Sequence, residues 1–176
     1  MSSNAPVSGF RIPLHTDSNF PPPDQTGPPV AYDADRVSPV FIGSALFEKS
    51  VHPCKIGSHL QPHASVPYAG AEHGHQGRYD LLPFVPEQME WVHTSHGRVP
   101  PGRRPIEGGY EENGGKLYHA LANVNGVAVP GKTGEHLYVV SSLPNHHHSE
   151  SLHIHRGGAN VAFGGEEKVY QEYQIL

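Results

Sequence analysis

The sequence contains a single cysteine, Cys54, in 176 residues, so no internal disulfide can brace it. Positive charge is scarce. Twelve Lys and Arg against 17 Asp and Glu leave a net charge of −5 with neutral histidine, without the basic face that nucleic acid requires. Long apolar runs are also missing. No segment approaches the ~20 apolar residues of a membrane span, and the opening "MSSNAPVSGFRIPLH" has no apolar signal-peptide centre. The expectation is a cytoplasmic protein, with non-classical secretion as the other route. Helical periodicity is nearly absent, and the one candidate, "PEQMEW", is short. No Ser-His-Asp order, G-x-S-x-G, P-loop or H-E-x-x-H motif occurs, so hydrolase and nucleotide chemistry have no support.

What is abundant is glycine (20), proline (18) and histidine (15). Apolar residues come in short alternating groups separated by turn signals, the pattern of an all-β protein. "PVFIGSALF" (39–47), "KLYHALANV" (116–124), "HLYVVSSL" (136–143) and "GANVAFGG" (158–165) read as strands. "VYQEYQIL" reads as one closing strand with Val169, Gln171, Tyr173 and Ile175 on one face. Residues 1–20 show no period and read as an arm, flexible over 1–9. Trp91 is expected to anchor a core, and Cys54 to be a small buried residue.

The chain also repeats itself. "AYDADR" (31–36) matches "GYEENG" (109–114), and "HPCKIGSHL" (52–60) matches "VPGKTGEHL" (129–137), with Lys55 and Lys132 in register. "VPYAGAEH" (66–73) matches "VAFGGEEK" (161–168), and "YDLL" (79–82) matches "YQIL" (173–176). The offset grows by about seventeen residues between the second and third blocks, so the second copy carries an insertion over about 138–160. "NHHHSESLHIH" lies inside it. An added segment is not needed by the repeat fold, and surface loops often carry function. The halves are residues 10–84 and 91–176, expected to pack as one unit because neither has enough apolar residues for its own core.

"WVHTSHGRVPPG…EGGYEENGGKLYHALA…VPGKTGEHL…VAFGGEEKVYQEYQIL" resembles a DM-nine repeat, and the first half resembles a second one, without the opening Trp. The resemblance implies an all-β fold of two tandem repeats packed about a pseudo-twofold axis. Characterised members include mannose-binding lectins, often dimeric. In these, the acidic residue after the G-Y and the lysine of P-G-K hold the sugar, which points here to Asp33, Lys55, Glu111 and Lys132. The residue chemistry fits a sugar. A carboxylate can accept two vicinal hydroxyls and an ammonium can donate to the same pair. Glu72 and Glu166, in "AGAEH" and "GGEEK", are further acidic candidates. The plainer alternative is that these residues form local ion pairs in turns, contributing about 0–1 kcal/mol each.

The expectation is a mannose-type carbohydrate-binding protein without catalysis, its partner a glycan and its state a homodimer. The rival is a metal-binding protein or metal-dependent enzyme. In an extended insertion, His146 and His148 form one same-face pair and His153 and His155 another, and imidazole suits zinc or copper. His73 and His75 in "EHGH" are a third such pair, or ordinary surface histidines.

Overall fold

The computed structural model describes residues 9–142 and 152–176, with the backbone alone over 138–142 and 152–156. The expected arm over 1–9 lies almost wholly outside the described residues. In the first half, β1 (Ile12–His15), β2 (Ala31–Tyr32), β3 (Pro39–Leu46) and β4 (Val51–Ile56) precede β5 (Ala64–Tyr68), β6 (Ala71–Gly74) and β7 (Arg78–Leu82). In the second, β8 (Val92–Ser95), β9 (Glu107–Tyr110), β10 (Lys116–Val124) and β11 (Val127–Thr133) lead to a hairpin, β12 (Tyr138–Ser142) with β13 (Leu152–Arg156). Then come β14 (Ala159–Phe163), β15 (Glu166–Tyr170) and β16 (Glu172–Ile175). The fold is all-β.

The hairpin is a separate two-stranded sheet, and the other strands form one 14-stranded sheet. Its centre is the pairing of β6 with β15 at Ala71 and Glu166. Outward from there the order is β5, β4, β3, β7, β1 on one side and β14, β11, β10, β16, β8 on the other. Both halves therefore have the same connectivity, with the hairpin added to the second. The register agrees: Ile42 faces Lys55 as His119 faces Lys132, and Val66 faces His73 as Val161 faces Lys168. β9 pairs with β10 and also, at Tyr110, with Val51 of β4, which closes the sheet on itself. Closure satisfies backbone groups that an open edge would expose.

The strongest strands, β3 and β10, are buried on both sides over most of their length. Two glycines allow the close approach of their neighbours. A Cβ on Gly43 would lie 2.1 Å from the Asp80 carbonyl oxygen, and one on Gly131 would lie 2.1 Å from that of Asn160. Gly43 pairs with Cys54, and Gly131 with Ala120, so each half places one glycine beside one small side chain, on opposite strands of the pair. This accounts for cysteine in P-C-K where the other half has P-G-K.

Three expectations need correction. The closing strand is two strands, because the chain bends at Gln171, whose carbonyl accepts the His96 N–H at 3.1 Å. Val169 is consequently exposed while Tyr173 and Ile175 are buried. The only helix among the described residues is the short turn Pro23–Thr26, opened by the prolines before it, whereas "PEQMEW" forms turns. Residues 12–15, expected in the arm, are β1, paired with β7.

The core also differs from expectation. Each half has a cluster of its own: Phe41, Ile56, Val66, Tyr79 and Leu81 in the first, Val124, Val129, Val161, Tyr173 and Ile175 in the second. A third cluster, of Ile42, Leu82 and Leu176 with Trp91, Phe84 and Ile106, joins the halves. Trp91 stacks on Phe84 with ring centroids 6.4 Å apart, so it serves packing, as expected. Cys54 is fully buried, as expected.

Candidate functional site

Lys55 and Lys132 stand on equivalent strands, β4 and β11, and each is only 4% exposed. A buried ammonium requires partners. The Lys55 Nζ donates to the Ala162 carbonyl at 3.3 Å, lies 3.5 Å from Glu72 Oε1, and sits 5.9 Å from the Phe163 ring centroid. Glu72 is in turn held by the Ser65 hydroxyl at 2.7 Å and the Gly165 N–H at 2.9 Å. Burial alone would raise the Glu72 pKa, but these donors and Lys55 outweigh it and hold it below the ordinary value. Asp33 accepts from His59 Nε2 at 2.7 Å and from the Ala34 N–H at 2.8 Å. Burial pushes its pKa up too, and these hydrogen bonds with the Lys55 charge bring it below the ordinary value. The Lys55 charge thus favours the carboxylate form of both Asp33 and Glu72.

The second cluster repeats the plan with different partners. The Lys132 Nζ donates to His52 Nδ1 at 3.2 Å and lies 5.4 Å from the Tyr68 ring centroid. His52 Nε2 donates to the Ser50 hydroxyl at 2.9 Å. Burial, then the charges of Lys132 and His75, press the His52 pKa down to about 4, so the ring is neutral and can accept from lysine. Burial also lowers the Lys132 pKa, against Glu167 and Glu111, which favour its charge. Tyr68 and Phe163 hold equivalent strand positions, and each lysine lies over the aromatic ring of the opposite half.

Sequence matching leaves Glu166 or Glu167 as the counterpart of Glu72, with Glu166 named as the site candidate. The strand register instead makes Glu167 the counterpart, since Glu72 faces Pro67 on β5 as Glu167 faces Ala162 on β14. Glu167 accepts from Asn160 Nδ2 at 2.9 Å and from the Gly70 N–H at 2.6 Å, as Glu72 does from Ser65 and Gly165. Glu166 is exposed and lies 3.5 Å from Lys168. The pairing of Val66 with Val161 offered the signal, because its offset, carried six residues on, takes Glu72 to Glu167. His52, His59, Tyr68 and Phe163 had no such signal, since the contacts that recruit them cross between elements distant in the chain.

A family model for the DM9 repeat matches residues 33–142. The chain belongs to the DM9 repeat family. No curated protein matches it. The DM9 match spans both lysines, Asp33 and Glu111. It ends at the last residue of β12, so most of the histidine-rich insertion lies beyond it.

His146 and His148 lie outside the described residues, as do the side chains of His153 and His155. Their backbone belongs to β13, where His155 pairs with Val139 and His153 with Ser141. His75 is engaged otherwise: it stacks on Phe47 at 5.2 Å, and its Nε2 donates to the Arg78 carbonyl at 2.8 Å. His73 packs edge-on to Tyr68. Among the described residues no group of His, Cys, Asp and Glu is arranged to hold a metal ion.

Proposed function

We propose that this DM9 protein is a recognition protein that binds a mannose-type carbohydrate without catalysing a reaction. The observation that carries this reading is the pair of related clusters, each with a lysine, carboxylates that favour its charge or pair with it, and an aromatic ring from the other half. A pyranose offers vicinal hydroxyls to the charged groups and an apolar face to a ring. The carboxylates held below their ordinary pKa are acceptors at neutral pH, as sugar hydroxyls require. Methyl mannoside titrated by calorimetry tests the reading. Lys55→Met and Lys132→Met should each weaken binding by at least ~1.5 kcal/mol, roughly tenfold, while circular dichroism stays unchanged. No binding by the wild type, or full binding by the double variant, ends the proposal.

A second reading keeps the insertion as a zinc or copper site using His146, His148, His153 and His155. What favours it is the β12–β13 pairing, which puts 153 and 155 at alternate positions of one strand. Elemental analysis of tag-free protein, with and without replacement of the four histidines, decides it. Stoichiometric metal lost on replacement supports this reading, and metal absent from both removes it.

A further inference from the structure

The two halves differ most at one place, where the first lacks the repeat's tryptophan. β1 meets β7 with Ile12 opposite Leu81, and β8 meets β16 with Val92 opposite Ile175, so Arg11 occupies the position of Trp91. The positions around it diverge in the same sense. Ser44 stands where the other half has Leu121, and His119 stands where it has Ile42. Ile42 and Trp91 pack in the apolar cluster that joins the halves. At the matching place Arg11, Ser44 and His119 form a polar one. The fold evidently accepts apolar residues in this setting, so it does not itself call for the polar set.

The geometry of the polar set is well defined. Arg11 Nη1 donates to the Ser44 hydroxyl at 3.0 Å, and Nη2 donates to the Glu107 carbonyl at 2.7 Å and to His119 Nε2 at 3.1 Å. The Ser44 hydroxyl donates to the Gly108 carbonyl. His119 is fully buried, and its burial, then the Arg11 charge, keeps it neutral. Every acceptor that Arg11 meets is thus uncharged. Among the described residues no carboxylate pairs with it at ion-pair distance. Burial lowers the Arg11 pKa, and Asp80, which opposes this from further away, is engaged by Arg78 at 3.3 Å. The Glu107 carboxylate is engaged by Lys116 at 2.8 Å. Three of the five guanidinium N–H donors are used, which leaves the Nε–H and one Nη1–H, on different edges of the group.

Arg11 and Ser44 face a cleft of about 210 Å³, completed by Val51, Glu107, Gly108, Gly109 and Tyr110. The glycines keep it open and its floor in place. A Cβ on Gly108 would lie 2.9 Å from His119 Nε2, and one on Gly109 would lie 2.0 Å from the Val51 carbonyl oxygen. Tyr110, half exposed, stands at the rim. A fixed cation without a carboxylate partner, in a small cleft reached by solvent, has the make-up of an anion receptor.

We propose that this cleft is a binding site for a small oxyanion, a carboxylate or phosphate group, held by Arg11 and separate from the lysine clusters. The Ser44 and His119 contacts hold the guanidinium plane, and one of its remaining N–H donors meets the ligand. Because the ligand need not be a sugar, the site stands or falls independently of the carbohydrate reading.

Amide and arginine side-chain NMR shifts of the full chain, titrated separately with inorganic phosphate and with acetate in a non-coordinating buffer, test it. The expected result is saturable shifts at Gly108, Gly109, Tyr110 and the Arg11 Nε–H, at least tenfold weaker in Arg11→Gln. The probe that saturates at the lower concentration identifies phosphate or carboxylate as the preferred chemistry. Absence of saturable shifts with both probes, equal shifts in Arg11→Gln, or shifts confined to Lys55 and Lys132 would overturn the proposal. The wild-type map is decisive even if Arg11→Gln does not fold. Arg11→Lys, which keeps the charge but not the three-way anchoring, is then the comparison and should also bind more weakly.

Discussion

His52 shows how a single residue separates two otherwise matching sites. Its counterpart in the second half is Val129, an apolar core residue, yet His52 is equally buried and accepts from Lys132. Its pKa falls from 6.5 to about 4 on folding, so between those values the unfolded chain binds a proton that the folded one does not. Stability supported by neutral His52 is full above pH 6.5 and is lost as pH falls toward 4. His52→Val should therefore flatten the dependence of the urea midpoint on pH in that window, by up to ~1.4 kcal/mol per pH unit. An unchanged slope would show that His52 protonates without opposing the fold. Cys54 gives a second residue-scale test. Burial drives its thiol pKa up to about 12, so the native protein should be inert to thiol reagents and release one thiol when denatured. Rapid reaction of the native chain would contradict its burial. At this scale the lysines and Asp33 were legible because their motifs are local. The sequence did not separate Glu166 from Glu167, because adjacent glutamates differ only in the strand face they take.

Among the elements, the hairpin β12–β13 is the one the first half does without. β4 reaches β5 through residues 57–63, whereas β11 reaches β14 through 134–158. The Gly157 N–H donates to the Leu137 carbonyl, so the two ends of the hairpin meet at its base. Replacing 138–156 with a two-residue Asn-Gly turn should leave the far-UV spectrum of the main sheet and shift Tm by no more than a few degrees. Loss of cooperative melting would mean that the hairpin supports the ring. Strand positions were readable wherever apolar residues alternate, and β3 and β10 fall where the pattern put them. The break at Gln171 was not, because Val169, Gln171 and Tyr173 keep the alternation of a single strand straight through it.

For the molecule as a whole, the halves have clusters of their own but share the third cluster and the closing contact of β9 with β4. Each lysine also reaches into the opposite half. These links predict one cooperative transition. Urea unfolding followed by Trp91 fluorescence, which reports the shared cluster, and by far-UV circular dichroism, which reports all strands, should give coincident curves. Two separated midpoints would show that the halves unfold independently.

The sequence by itself determined the all-β class, the recurrence of related blocks, and the lysines and Asp33 as candidate ligand contacts, because periodicity and motif are local properties of the chain. Only the tertiary structure decided which carboxylate meets which lysine, which rings cover them, and that a polar cluster around Arg11 occupies the place of an apolar one. The physical reason is separation along the chain. Lys55 meets the Ala162 carbonyl 107 residues away, and Arg11 meets His119 108 residues away, so each contact exists only once the sheet has closed.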